Sequence, residues 1–191
     1  MVSSSKYNRD MDPAIFLDRD GVIIENRSDY IRSWADVTIF PHAVTALAKM
    51  ATCPYKFILV TNQSAVGRQI LSLRDADEIN HRLITELEMK GCRIDGVYMC
   101  PHIPDQECTC RKPRPGLILR AAQEMSLDLT RSVMVGDAWT DAQAGYAAQV
   151  GRLALVRTGR GQEQSQMPRP AGLEAVQIYD SLAQALDDLV R

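Results

Sequence analysis

Ala14-Ile15-Phe16-Leu17-Asp18-Arg19-Asp20-Gly21 opens on four apolar residues and stops on two acids and a glycine. Two later stretches have the same form. Leu59-Val60 runs into Thr61-Asn62-Gln63, and Val133-Met134-Val135 runs into Gly136-Asp137, with Asp141 closing the string. An unbroken apolar run that ends abruptly is how a strand buried on both faces reads. In open parallel sheets, ligands bind outside the carboxyl ends of such strands. Three of them side by side would bring Asp18, Asp20, Thr61 and Asp137 to one rim. That is a carboxylate cage able to hold a divalent cation and to present a nucleophile. Asp18 and Asp20 sit two apart, so they share a face if strand geometry persists past Leu17. A carboxylate nucleophile beside a second carboxyl suits phosphoryl transfer through an aspartyl-phosphate. Taken alone, the string also reads as an ordinary Asp-x-Asp-Gly turn.

The rest of the chain alternates strand and helix around these strings. Strands are predicted at Ala14–Leu17, Lys56–Thr61, Gly96–Met99, Ser132–Val135 and Leu153–Val156. Leu73–Lys90 places Ala76, Ile79, Leu83 and Leu87 on one helical face. Ser72, with Asp75 three residues on, is a capping-box-like start to that helix. Ala43–Met50, Gly116–Met125, Asp141–Ala148 and Ser181–Val190 complete the helices. Such alternation predicts an α/β fold with a doubly wound parallel sheet. Residues 14–191 read as one domain, and 1–13 as a flexible polar leader. Thr158–Gly172, rich in Gly, Gln and Pro, reads as a loop. Neither the segment between Asp18 and Thr61 nor that between Thr61 and Lys112 has room for an inserted cap domain.

A second cluster stands at Cys100-Pro101-His102 and Cys108-Thr109-Cys110. Three thiols and an imidazole in so short a span suit a tetrahedral zinc site. The competing reading is a disulfide, or thiols without a partner. No fourth position is left open for chemistry, so the zinc is expected to be structural. It would order the loop just before Lys112. Cys53 and Cys92 lie outside the cluster and read as ordinary thiols. His42 and His81 lack partner spacing and read as surface or cap residues.

The chain has 191 residues and a formal net charge of −2. Nothing in that balance argues for nucleic acid or an anionic membrane surface. No stretch approaches ~20 apolar residues, so no transmembrane helix is expected. The N-terminus lacks the apolar core of a signal peptide. These features predict a cytoplasmic, monomeric enzyme acting on a small molecule.

Four motifs in order give the chain a family resemblance. Asp18-x-Asp20-Gly21, Thr61, Lys112 within Arg111-Lys112-Pro113, and Gly136-Asp137-x-x-x-Asp141 resemble the motifs of the haloacid dehalogenase superfamily of phosphohydrolases. The resemblance implies that Asp18 attacks phosphorus and that Asp20 is the general acid and base. It implies Mg²⁺ held by Asp18, the main-chain carbonyl of Asp20 and Asp137, with Asp141 acting behind them on Lys112 or a metal water. Thr61 and Lys112 would hold the phosphoryl oxygens.

The Cys/His loop narrows the resemblance to the subgroup that contains the heptose 1,7-bisphosphate 7-phosphatases and the histidinol-phosphate phosphatases. It covers roughly residues 14–158, by motif placement. It implies a sugar bisphosphate as substrate, losing its 7-phosphate, with histidinol phosphate as the runner-up. It also implies substrate contacts from Asn62, Gln63, Ser64, Asp29 and Tyr30. Arg111 is the best-placed residue for a second substrate anion, because a guanidinium grips phosphate bidentately. Arg27, Arg68 and Arg114 read as solvated. A zinc-stabilised binding module without catalysis would need the same loop but not the four acidic and basic motif residues.

Overall fold

The structure is a computed structural model, and it describes residues 11–190. Six parallel strands form one sheet in the order β3-β2-β1-β4-β5-β6. The strands are β1 (Asp12–Leu17), β2 (Lys56–Asn62), β3 (Gly96–Cys100), β4 (Leu127–Gly136), β5 (Arg152–Val156) and β6 (Gln177–Tyr179). Chain order reverses at β1, which lies between β2 and β4. That is the switch point at which open α/β sheets place their ligands.

Alternate residues of each central strand feed two different cores, as strand geometry requires. Ile15, Leu17, Phe57, Leu59, Val133 and Val135 pack with Leu47 of α1 (Pro41–Lys49), Leu83 and Leu87 of α3 (Leu73–Glu88), and Leu186 of α7 (Leu182–Leu189). Ala14, Phe16, Ile58, Val60 and Met134 pack on the opposite face. Their partners include Leu117 and Ile118 of α4 (Gly116–Met125) and Ala144 of α5 (Trp139–Ala147). Both faces of the sheet are covered, so the central strands are apolar up to their carboxyl ends. That is why their ends stand out in the sequence.

Five elements differ from the sequence reading. β1 begins at Asp12, because Asp12 and Pro13 pair with Leu127 and Asp128 of β4. The expected leader therefore loses its last two residues to the sheet, and its first ten lie outside the described residues. β4 starts five residues before Ser132, and its early part is amphipathic rather than apolar. β6 has no counterpart in the reading. The segment Thr158–Gly172 contains a one-turn helix, α6 (Gly161–Gln164). A second one-turn helix, α2 (Ser64–Gly67), follows β2 directly.

The expected start of α3 is present: Ser72 Oγ accepts from Asp75 N at 3.0 Å. Between β1 and β2 the described chain carries one 3-10 turn and α1, and no cap domain intervenes. No helix among the described residues is long and apolar enough to cross a membrane.

Candidate active site

Asp18, Asp20, Thr61, Lys112, Asp137 and Asp141 meet where β1, β2 and β4 end. A cleft of about 410 Å³ opens above them. Asp18, Asp20, Asn62, Gln63, Ser64, Arg111, Lys112 and Asp141 line it, with Asn26, Arg27, Ser28, Tyr30 and Arg160 among the other lining residues. Thr61 and Asp137 are fully buried and contact the lining residues Gln63 and Arg160.

Lys112 is the centre of charge. Its ammonium lies 2.9 Å from Asp18 Oδ1 and 2.7 Å from Asp141 Oδ1, and donates to the carbonyl of Val60 at 2.7 Å. Burial pulls its pKa down, but Asp141 and Asp18 outweigh burial and the net shift is upward. Asn62 clamps the Lys112 backbone: Asn62 Nδ2 donates to Lys112 O, and Lys112 N donates to Asn62 Oδ1, both at 3.1 Å. One ammonium cannot neutralise three buried carboxyls. Burial, with repulsion from Asp18 and Asp137, pushes Asp141 up to about 7 despite its Lys112 contact. Asp137 is likewise raised, by burial first and by Asp18 second, while Arg160 pulls the other way.

Lys112→Met would leave Asp18 and Asp141 buried without that ammonium. Removing one partner of a buried pair costs about 3–5 kcal/mol. Denaturant unfolding of the variant, measured without added divalent cation, is expected to show a loss of that size.

The oxygens of Asp18, Asp137 and Asp141 come within 4.8 Å of one another. A hard oxygen donor set with excess negative charge fits Mg²⁺. Backbone glycines make room for it. A Cβ on Gly21, at φ +83, would lie 2.1 Å from Asp137 Oδ2, and one on Gly159, at φ +58, 2.4 Å from the same atom. The Asp20 carboxylate stands outside this cluster. It accepts from Gln63 Nε2 at 2.8 Å and is paired with Arg19 at 3.0 Å. Gln63 Nε2 also donates to Thr61 Oγ1 at 2.8 Å, so Gln63 bridges the acid and the hydroxyl.

Sequence reasoning passed over Arg160. Its backbone N and its Nη2 donate to Asp137 at 2.8 and 3.0 Å. The preceding Thr158 donates its hydroxyl to Gly21 O at 2.5 Å. Asp29 is the expected site residue that the structure turns away. Its carboxylate pairs with Arg27 at 3.3 Å and Arg32 at 3.2 Å, half exposed, and it does not line the cleft. Arg27, expected to be solvated, is exposed and also lines the cleft. Tyr30 does line the cleft, in the left-handed conformation at φ 66. Trp139 is buried in a third apolar cluster and donates to Gln164 O at 2.8 Å.

The Cys/His loop forms a compact donor set. Cys100 Sγ lies 3.5 Å from His102 Nδ1, 3.6 Å from Cys108 Sγ and 3.3 Å from Cys110 Sγ. Cys110 Sγ lies 3.4 Å from both His102 Nδ1 and Cys108 Sγ. A tetrahedral zinc with its usual bond lengths has ligand–ligand edges of about 3.5–3.8 Å, so the donors fit the ion. A disulfide needs about 2.05 Å and is excluded here. Burial pushes Cys100 up to about 12, whereas hydrogen bonds from Cys110, Cys100 and the Arg111 backbone outweigh burial at Cys108 and bring it to about 7. The loop grips the next segment: Arg111 Nη1 donates to His102 O at 3.0 Å and Arg114 Nη1 to Cys108 O at 2.6 Å.

Comparison with known proteins agrees with this geometry. The model of the HAD-hydrolase-like family matches residues 109–185. The D-glycero-β-D-manno-heptose-1,7-bisphosphate 7-phosphatase of Photorhabdus laumondii is 35% identical over 184 residues, covering 93% of each chain. The protein of the same name from Escherichia coli K12 is 33% identical over 184 residues, 93% of this chain and 91% of that one. Among solved structures, the D,D-heptose 1,7-bisphosphate phosphatase of B. bronchiseptica, complexed with magnesium and phosphate, superposes with a TM-score of 0.84. It is 32% identical and covers 93% of this chain and 97% of its own. Motif order, the switch-point cleft, the thiol loop and near full-length similarity converge on one assignment. The chain belongs to the D-glycero-β-D-manno-heptose-1,7-bisphosphate 7-phosphatase family of HAD-like hydrolases, enzymes that hydrolyse phosphoric monoesters.

Proposed function

We propose that this protein removes the 7-phosphate of D-glycero-β-D-manno-heptose 1,7-bisphosphate through an aspartyl-phosphate on Asp18. The observation that carries the reading is the convergence of Asp18, Asp20, Lys112 and Asp137 where β1 and β4 end, in a chain similar over nearly its full length to proteins that bear that name. Asp18 attacks phosphorus in line, and its carboxylate is held by Lys112 and by the backbone N of Arg19, which donates to Oδ1 at 2.8 Å. Asp20 gives its proton to the departing sugar oxygen, then takes one from the water that cleaves the acyl phosphate. Lys112 and the Thr61 hydroxyl hold the equatorial phosphoryl oxygens. Asp18, the Asp20 carbonyl and Asp137 would hold Mg²⁺, with Asp141 behind them. Bound there, the ion offsets repulsion between the carboxylates and the phosphate dianion. Cys100, His102, Cys108 and Cys110 would hold Zn²⁺, which would fix the loop that carries Arg111.

A phosphate on a primary carbon reaches the Asp18 floor, while the distal phosphate lies at the cleft mouth near Arg111. Arg111→Ala is expected to lower kcat/KM for the bisphosphate about 10- to 100-fold, with little change for a monophosphate. Side-by-side kinetics on heptose 1,7-bisphosphate, heptose 7-phosphate and histidinol phosphate check both points. A clear preference for histidinol phosphate would overturn the substrate and leave the chemistry at Asp18 standing.

A further inference from the structure

Between the two acids of the first motif sits one of the most buried charges in the molecule. Arg19 is 2% exposed. Its Nε donates to Asp20 Oδ2 at 3.1 Å and its Nη2 to Asp20 Oδ1 at 3.2 Å. Its Nη1 donates to Asn80 Oδ1 at 2.7 Å. Asn80 is itself buried, on the apolar face of α3. Burying a guanidinium is costly unless its donors are met. Here they are met on one side by a carboxylate that faces the cleft and on the other by a neutral amide deep in the fold. A two-pronged guanidinium fixes the plane of a carboxylate as well as its place. Gln63 then holds one Asp20 oxygen from the cleft side.

We propose that Arg19 and Asn80 are positioning residues that aim the Asp20 carboxyl at the leaving oxygen of the substrate. The inference rests on the phosphatase reading given above. In the first half-reaction the Asp18 oxygen–phosphorus bond forms as the ester phosphorus–oxygen bond breaks, and the Asp20 proton passes to the leaving oxygen. In the second, water attacks the phosphorus, its proton returns to Asp20, and the Asp18 oxygen–phosphorus bond breaks. Both transfers need Asp20 within hydrogen-bond reach and correctly turned. Neither Arg19 nor Asn80 needs to touch the substrate. The claim concerns orientation, so it differs from a simple contribution to stability.

Leaving-group dependence separates the two. A nitrophenolate departs with little help from an acid, whereas an alkoxide needs a proton in the transition state. The kcat/KM value reports steps through departure of the leaving group only. The experiment measures kcat/KM with Mg²⁺ for a series from p-nitrophenyl phosphate to simple alkyl phosphates, on wild type, Asn80→Ala and Arg19→Lys.

Asn80→Ala is expected to lose less than about 3-fold on the nitrophenyl ester and about 10- to 100-fold on the alkyl esters. Inhibition by inorganic phosphate should stay unchanged. Arg19→Lys keeps the charge but lacks the fork, and should show the same steepening. Equal losses across the series, or alkyl rates left intact in Arg19→Lys, would overturn the positioning role and leave the phosphatase reading intact. A wild type that hydrolyses no ester of the series would overturn that reading, and the positioning role with it.

Discussion

Asp18→Asn is expected to lower kcat by about 10⁴-fold or more, the scale seen when a covalent nucleophile is removed. The amide is nearly isosteric with the acid but cannot displace an alkoxide at phosphorus. Its effect on the fold should have the opposite sense. Asp18 is one of three buried carboxyls gathered within 4.8 Å, and its charge raises the pKa of both Asp137 and Asp141. Neutralising it relieves repulsion, so the metal-free variant should unfold no earlier than wild type. Acid-quenched reactions with labelled phosphate donor test the covalent step: wild type should retain label on the protein and Asp18→Asn none. Full turnover by the purified variant would sink the covalent mechanism.

Cys108→Ala is expected to abolish stable zinc binding and to soften the loop before Lys112. A four-ligand structural site that loses one thiolate no longer closes the tetrahedron. The loss should be about 3 kcal/mol or more, which for a domain of this size is about 10 °C in Tm. The same change should reach the chemistry indirectly. Arg111 hangs on the carbonyl of His102, and Arg114 on that of Cys108. Activity should fall about 10- to 100-fold, the usual effect of disturbing the groups that orient a site. Metal analysis of fresh, reduced wild type should find one zinc per chain. A wild type without zinc, or a variant with unchanged melting and rate, would overturn the structural role.

The ends of β1, β2 and β4 were legible because their residues are buried on both faces. Apolar runs then break sharply at Asp18, Thr61 and Asp137. The thiol loop was legible because its ligands are close in sequence. What sequence did not show depends on distant contacts. Gln177–Tyr179 is only three residues long and takes strand form by pairing with β5. Arg160 sits in a Gly/Gln-rich stretch without periodicity, and its order comes from Asp137, 23 residues away. Arg19 looked like the variable letter of an Asp-x-Asp motif. Its partner Asn80 lies 61 residues on. A clue existed: Asn80 shares the helix face of Ala76, Leu83 and Leu87, where an amide has no reason to be unless something buried needs it. Asp29 does not line the cleft, since its carboxylate is taken up by the neighbouring Arg27 and Arg32.

The placement of β1 bears on how the chain is made. The strand that ends at Asp18 precedes the other five in the chain, yet its inner partner is β4. Ala14 N donates to Ser132 Oγ across 118 residues, and Phe16 pairs with Met134. Until β4 has been synthesised, β1 has β2 on one side and lacks its β4 partner on the other. Such a strand exposes a flat, apolar, unpaired edge, which is the form most prone to joining another chain. A protein stalled before residue 127 should therefore be protease-sensitive and sticky rather than partly active. Folding should be slow for the size of the domain, because its central pairing joins residues 118 apart in the chain.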